Sequence, residues 1–149
     1  MNWYCKKFDE LEPGELYALL QLRNLAFIIE QTCIYPDMDD KDQMAYHLMG
    51  WDDDKLLAYT RLLPKGISYP DYPSIGRVVV SSAIRKTGLG KELMQRSIQQ
   101  CHVLFGNTAI KIGAQLYLQK FYESLGFVQS SEVYDEDGIP HIEMILPAQ

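Results

Sequence analysis

The chain has 149 residues, 47% of them hydrophobic and 23% charged, which is the size and composition of one globular domain rather than a disordered tail or a two-domain chain. Its 14 Lys and Arg against 20 Asp and Glu give a net charge of −6, a poor match to nucleic acid, which demands a basic face. No apolar run reaches the roughly 18 residues of a membrane span, and residues 1–13 have no signal-peptide core, so a cytoplasmic protein away from the membrane is expected. Cys5, Cys33 and Cys101 are odd in number, far apart and without a CxxC pair. Neither a disulfide framework nor a metal site is expected from them.

Residues 3–8 read as a short strand. Pro13 then opens a helix in which Leu16, Leu19, Leu20, Arg23 and Phe27 recur at three- and four-residue spacings, running to about Glu30. Residues 32–45 are irregular or a short second helix. Residues 47–51 and 56–63 flank the turn 52–55 as an antiparallel hairpin, and residues 65–74, with Gly66, Pro70 and Pro73, make a long surface loop. Residues 75–80 end in Val78-Val79-Val80, a β-branched run suited to a central strand buried on both faces. Leu89, Leu93, Met94, Ser97 and Cys101 mark one face of a long helix that Gly106 closes. Residues 109–113 form another strand, and residues 116–125 a helix closed by Gly126. Two strands, 127–134 and 141–146, surround the turn 135–140. This order makes a mixed α/β sheet with strand–helix–strand crossovers in its middle.

The stretch that carries chemistry follows the valine strand: Arg85-Lys86-Thr87-Gly88-Leu89-Gly90-Lys91. A glycine-bearing turn opening a helix is an anion cradle, because the first helical N–H groups are unpaired and sit at the positive end of the helix dipole. Pyrophosphate is the ligand best matched to it. The dinucleotide fingerprint GxGxxG lacks its third glycine here, and a Walker A loop lacks its first glycine and its Ser or Thr. What remains is [R/Q]xxGxG after a strand.

That pattern resembles the pyrophosphate loop of the GNAT superfamily of acyl-CoA-dependent N-acyltransferases. A second stretch, Gln115 through Phe121-Tyr122 to Gly126-Phe127, resembles the family's helix ending in [FY]YxxxGF. Leu22-Arg23, Phe27, Glu30-Gln31, Tyr35, Asp39, Asp42 and the run Tyr134 to His141 resemble its ElaA-type branch. The resemblance implies a single GNAT-type α/β domain over residues 1–149: a mixed, mostly antiparallel central sheet of about six to seven strands flanked by about four helices. It implies acetyl-CoA as co-substrate, no metal, and a small-molecule or peptide amine as acceptor. Val78, Val79 and Val80 would offer backbone groups to the pantetheine arm, and Arg85, Lys86, Thr87, Gly88, Leu89, Gly90 and Lys91 would hold the pyrophosphate. Gln115 stands where the family has an Asn at the cofactor, and Leu118 replaces a usual Ala. Tyr122 holds the position beside the thioester sulfur, whereas Phe121 and Phe127 read as core.

The base is less plainly marked. Many family members carry a Glu on the strand before the pyrophosphate loop, but Ile75-Gly76-Arg77-Val78 has no acid. Arg77 there pairs with a carboxylate or binds an acidic group on the acceptor. Glu30, His141 and His47 are the remaining candidates, each with a structural reading beside it: a helix-end charge, a hairpin partner and a strand-edge residue. The resemblance implies that Glu30, Asp37, Asp39 and Asp42 form an acidic wall of the acceptor site suited to a cationic amine; as residues, they equally read as carboxylates that cap and solvate a loop. A non-catalytic acyl-CoA-binding or sensor module shares every cofactor residue, and a nucleotide-binding protein shares the loop alone. A homodimer through an exposed sheet edge is compatible with the chain.

Overall fold

The structure, a computed structural model, describes residues 1–149. β1 (Asn2–Lys7), β2 (Tyr46–Asp52), β3 (Lys55–Leu63) and β4 (Ser74–Val80) form an antiparallel sheet in that order. β5 (Ile110–Gln115), β6 (Val128–Gln129), β7 (Tyr134–Glu136) and β8 (Ile139–Leu146) form a second sheet, in which β8 pairs with each of the others. Three α-helices accompany them: α1 (Pro13–Arg23), α2 (Leu89–Phe105) and α3 (Gln119–Ser124).

Local chemistry sets these elements. At the start of α1, Pro13 takes the first position and the Glu12 N–H donates to Glu15 Oε1 at 2.8 Å. The helix continues without a break as a π-helix, Asn24–Glu30, the helical form most often kept for functional positions. Gly88 (φ 85°) and Gly106 (φ 87°) bound α2 in backbone conformations that side chains disfavour. The buried stripe of α2, Leu93, Met94, Ser97 and Cys101, lies on the first sheet, where the Ser97 and Thr60 hydroxyls meet at 2.7 Å.

β4 is the last strand of one sheet and β5 the first of the other. Their starts are tied by the Lys111 N–H donating to Pro73 O at 3.0 Å, and beyond that bond no ladder joins them. The two sheets nevertheless share one core, in which Leu62 and Ile75 of the first pack with Ile112, Ile142 and Met144 of the second. The strands therefore diverge from a common root while their inner faces stay closed.

The single sheet of six to seven strands is corrected to eight strands in two sheets, and about four helices to three. β4 is an edge strand: Val79 is buried, but Val78 and Val80 are only half-buried, which corrects the expectation of burial on both faces. The expected strand 127–134 breaks at Ser131, whose hydroxyl accepts the ladder bond from the Glu143 N–H at 2.8 Å and so replaces a backbone partner. Residues 32–45 hold only a short 3₁₀ turn, Asp42–Met44, because their aspartates are drawn onto arginines. The turn before β8 closes on Asp137-Gly138, a hairpin signal in the sequence: Asp137 (φ 52°) and Gly138 (φ 81°) are both left-handed, as a two-residue hairpin turn requires. All three thiols are free, and no helix is long and apolar enough to cross a membrane.

Candidate active site

A cavity of about 740 Å³ opens between β4 and β5. Val78 and Gln115 line it where the strands end, Ser74 and Ile112 line it where they begin, and Tyr122 and His141 enter from α3 and β8. Four of the expected site residues, Val78, Gln115, Tyr122 and His141, are thus brought around one space. Val79 points into the core cluster with Tyr59, so only its backbone is at the strand edge.

The segment from Arg85 to Lys91 follows the end of β4, outside this cavity. Its conformation is that of an anion cradle. Lys86 (φ 66°) and Gly88 (φ 85°) are left-handed, Thr87 Oγ1 donates to Ile84 O at 2.7 Å, and no side chain caps α2. The first N–H of α2 with a helical acceptor is that of Glu92, bonded to Gly88 O at 3.2 Å, so the N–H groups of Leu89, Gly90 and Lys91 have no intrahelical partner. A Cβ added at Gly88 or Gly90 would meet nothing within 4 Å, which leaves the backbone open to a ligand.

Tyr122 is 6% exposed and packs edge-on against Phe121 and Phe127. Burial pushes its phenol up to about 12, so the proton stays on oxygen across the working pH range. The hydroxyl donates to no protein group, leaving that proton for a ligand. His141 is held at both ring nitrogens: Nδ1–H donates to Ile139 O at 2.7 Å and Nε2 faces Glu136 Oε2 at 3.2 Å. Gln115 Oε1 accepts a long bond, 3.4 Å, from Gln31 Nε2.

The remaining base candidates are engaged elsewhere. Glu30 is gripped by Arg85 through two bonds of 2.5 and 3.0 Å, does not line the cavity, and has its carboxyl held below the usual range chiefly by the Arg85 hydrogen bond. This speaks against the expected proton-collecting role. His47 lies in the core, fully buried, with Nε2–H donating to Asp42 O at 2.9 Å and Nδ1 accepting from Tyr59 Oη at 2.6 Å. Burial lowers its pKa and keeps it neutral.

The acidic wall is neutralised from within. Arg23 bonds Asp37 (2.9 Å) and Asp42 (2.8 Å), and Arg61 bonds Asp39 (2.7 Å) and Asp42 (3.0 Å). Arg77 bonds Asp37 (2.8 Å) and Asp39 (3.3 Å). Three arginines answer three aspartates, so this wall offers an amine no free carboxylate. Burial alone would raise the Asp39 and Asp42 carboxyls, but Arg61 and Arg77 on Asp39, and Arg23 and Arg61 on Asp42, hold both low. Of the two roles expected for Arg77, pairing with a carboxylate is the one observed. Arg77 also sits at a β-bulge: Tyr59 pairs with Val79 and Arg61 with Gly76, so Thr60 faces both Arg77 and Val78. Its φ of 50° costs a non-glycine residue about 1–2 kcal/mol, and the grip of Asp37 and Asp39 holds it there.

Sequence reasoning named Tyr35 and Tyr134 only as family matches and missed Tyr69. Tyr35, Tyr69 and Tyr134 all face the cavity, and a Cβ at Gly113 would lie 3.0 Å from Tyr134 Oη and 3.3 Å from Tyr69 Oη. Burial pushes the Tyr69 phenol up, so it stays protonated. The readable signal was the glycine itself, since a glycine inside a strand marks a close approach.

The strand that walls the cavity leads into an uncapped helix start, and a buried phenol lies in the cavity wall. The comparisons give this arrangement a family. The acetyltransferase (GNAT) domain profile matches residues 17–147. Protein ElaA of Escherichia coli K12 is 42% identical over 146 residues, 97% of this chain and 95% of that protein, and its crystal structure superposes with a TM-score of 0.90. A crystal structure of an acyl-CoA N-acyltransferase from Pseudomonas aeruginosa is 46% identical, with a TM-score of 0.91 and 97% of each chain covered. At 20% identity and a TM-score of 0.70, an aminoglycoside 6′-N-acetyltransferase complexed with coenzyme A shares the fold over 95% of both chains. The chain belongs to the GNAT acetyltransferase family.

Proposed function

We propose that this protein moves an acetyl group from acetyl-CoA to a primary amine by direct attack of the amine on the thioester. The observation that carries this reading is the run of unpartnered N–H groups at Leu89, Gly90 and Lys91, set beyond the open edge of β4 with Tyr122 in the cleft behind it. Acetyl-CoA, when bound, supplies an acyl group already activated on a thiol leaving group. The N–H groups of α2 bind its pyrophosphate, with Arg85, Lys86 and Thr87 forming the loop around it. The backbone of Val78 to Val80 pairs with the pantetheine arm as an added strand would, and Gln115 faces it from β5. Glu30, through Arg85, braces that loop.

An alkyl amine with a pKa of about 10.4 is neutral only about once in 2,500 molecules at pH 7, so a proton must be collected before attack. His141 stands in the cavity wall with Glu136 at its outer nitrogen, and the Glu136 side chain is 56% exposed. With Nδ1–H committed to Ile139 O, Nε2 is the nitrogen that takes the amine proton, and Glu136 pairs with the imidazolium so formed until water carries the proton away. Tyr122 holds its proton at Oη and lends it as a hydrogen bond to charge developing on the departing sulfur.

Calorimetric titration with acetyl-CoA, with ATP and NAD as controls, tests the reading. Micromolar binding of acetyl-CoA alone is expected. Gly90→Ala should weaken that binding at least tenfold, because its Cβ enters the space the pyrophosphate needs. The same change should leave unfolding stability equal or up to about 1 kcal/mol higher, since alanine is the better helix former. A folded sample that ignores acetyl-CoA sinks the proposal, and binding with no amine ever acetylated leaves the non-catalytic binding module.

A further inference from the structure

We propose that the acceptor is an amine carrying a carboxylate several bonds away, an ω-amino acid or a short peptide, with Lys41 and Ser68 holding that carboxylate; this rests on the acyltransferase reading above. The cavity has two unlike ends. At the end where β4 and β5 begin, Lys41 Nζ donates to Ser68 Oγ at 3.1 Å and pairs with no carboxylate, and both residues line the cavity. The neighbouring Arg23, Arg61 and Arg77 are balanced by Asp37, Asp39 and Asp42, so Lys41 is the residual positive charge of this wall. Arg61, 3% exposed and facing the same cavity, adds a buried Nε–H with no acceptor. A buried donor without a partner is costly enough that native sites seldom leave one.

The other end is acidic. Glu136 and Asp137 line the cavity beside His141, and Glu136 has only that imidazole for a partner. Glu143 is already answered by Lys111 at 3.0 Å and adds no charge. This end adjoins Gln115, which pairs with His141 across β5 and β8, and so lies where the cofactor arm and Tyr122 meet. An acceptor placed with its ammonium here and its carboxylate on Lys41 matches both poles. Ser74 at the start of β4 and Val78 beyond its bulge both line the cavity, so the space runs along the strand. An α-amino acid, with both charges on one carbon, does not bridge such ends, whereas an extended ω-amino acid does.

The test compares 6-aminohexanoate with hexylamine, which lacks the carboxylate, by thiol release with acetyl-CoA and by calorimetric titration without it. At least a tenfold preference for 6-aminohexanoate in kcat/KM is expected, kept by Lys41→Arg and cut to less than twofold by Lys41→Met. Binding of 6-aminohexanoate should weaken in parallel in Lys41→Met, with the acetyl-CoA affinity unchanged. Equal use of the two amines, or a preference untouched by Lys41→Met, overturns the proposal. So does a protein that binds acetyl-CoA yet neither binds nor acetylates 6-aminohexanoate. Lys41-dependent binding of 6-aminohexanoate by a protein that ignores acetyl-CoA would uphold the carboxylate site and overturn the acyltransferase reading instead.

Discussion

Tyr122→Phe is expected to lower kcat roughly ten- to thousand-fold, the range spanned by a lost donor to developing charge, while leaving the affinity for acetyl-CoA as it was. The argument rests on a mismatch. A thiol leaves with a pKa of about 8.5, and burial pushes the Tyr122 phenol up to about 12. Handing the proton over completely would run about 5 kcal/mol uphill, at roughly 1.4 kcal/mol per pKa unit, so under the proposed acyl transfer the phenol would act by donating a hydrogen bond that strengthens as charge grows on sulfur. Single-turnover thiol release separates this from a binding defect, and an unchanged rate would remove Tyr122 from the reaction. The same raised pKa fixes a pH signature. Its folded-state value lies above the unfolded value of about 10, so the stability it contributes is fully present below pH 10. That contribution is lost as pH rises through 12, by up to about 3 kcal/mol. Tyr122→Phe should therefore lose less stability than the parent between pH 10 and 12, and any fall in parent activity below pH 10 belongs to another group.

What could be read in the sequence divides along a physical line. Helices α1 and α2 were visible because apolar spacing, Pro13 and two glycines each speak locally, and the hairpin of β2 and β3 because a run of aspartates separates two apolar runs. The uncapped start of α2 at Leu89 to Lys91 was equally local, a matter of glycine placement before a helix. What could not be read is what depends on partners far along the chain. Asp37, Asp39 and Asp42 look like a solvated acidic loop until Arg61 and Arg77 arrive from β3 and β4 to neutralise them. Arg23 was counted in the buried stripe of α1 by spacing alone, and it is indeed fully buried, but as a charge among aspartates and not as packing. Glu30 is the same lesson in reverse: its position suggested a base, and Arg85, 55 residues on, makes it half of an ion pair. The divergence of β4 from β5 was hidden because a β-branched run reads alike at a sheet's centre and at its open edge.

Asp42 is where the largest loss of stability is expected. One oxygen, Oδ1, accepts from Arg23 Nη1 at 2.8 Å and from Arg61 Nη1 at 3.0 Å, and those arginines are 0% and 3% exposed. Removing one partner of a buried ion pair costs up to about 3–5 kcal/mol, and here it leaves three arginines to share Asp37 and Asp39. Asp42→Ala should show that loss in urea unfolding at pH 7, a large share of the roughly 5–15 kcal/mol that holds a domain together. Arg23→Met in the Asp42→Ala background should recover part of it, since an apolar side chain leaves no charge to strand. The pH dependence follows from the same contacts. The Asp39 and Asp42 carboxyls lie below their ordinary values, so their contribution is present above about pH 4 and is lost as pH falls through the folded-state values. Asp42→Asn, which keeps the shape and removes the charge, should lose less stability than the parent as pH falls below 4. The consequence reaches the cavity, because Asp37 and Asp39 of the same network hold Arg77 on its strained bulge. A loss under 1 kcal/mol in Asp42→Ala would mean that water reaches these arginines, and the wall that Lys41 stands on would then be a mobile loop and not a fixed surface.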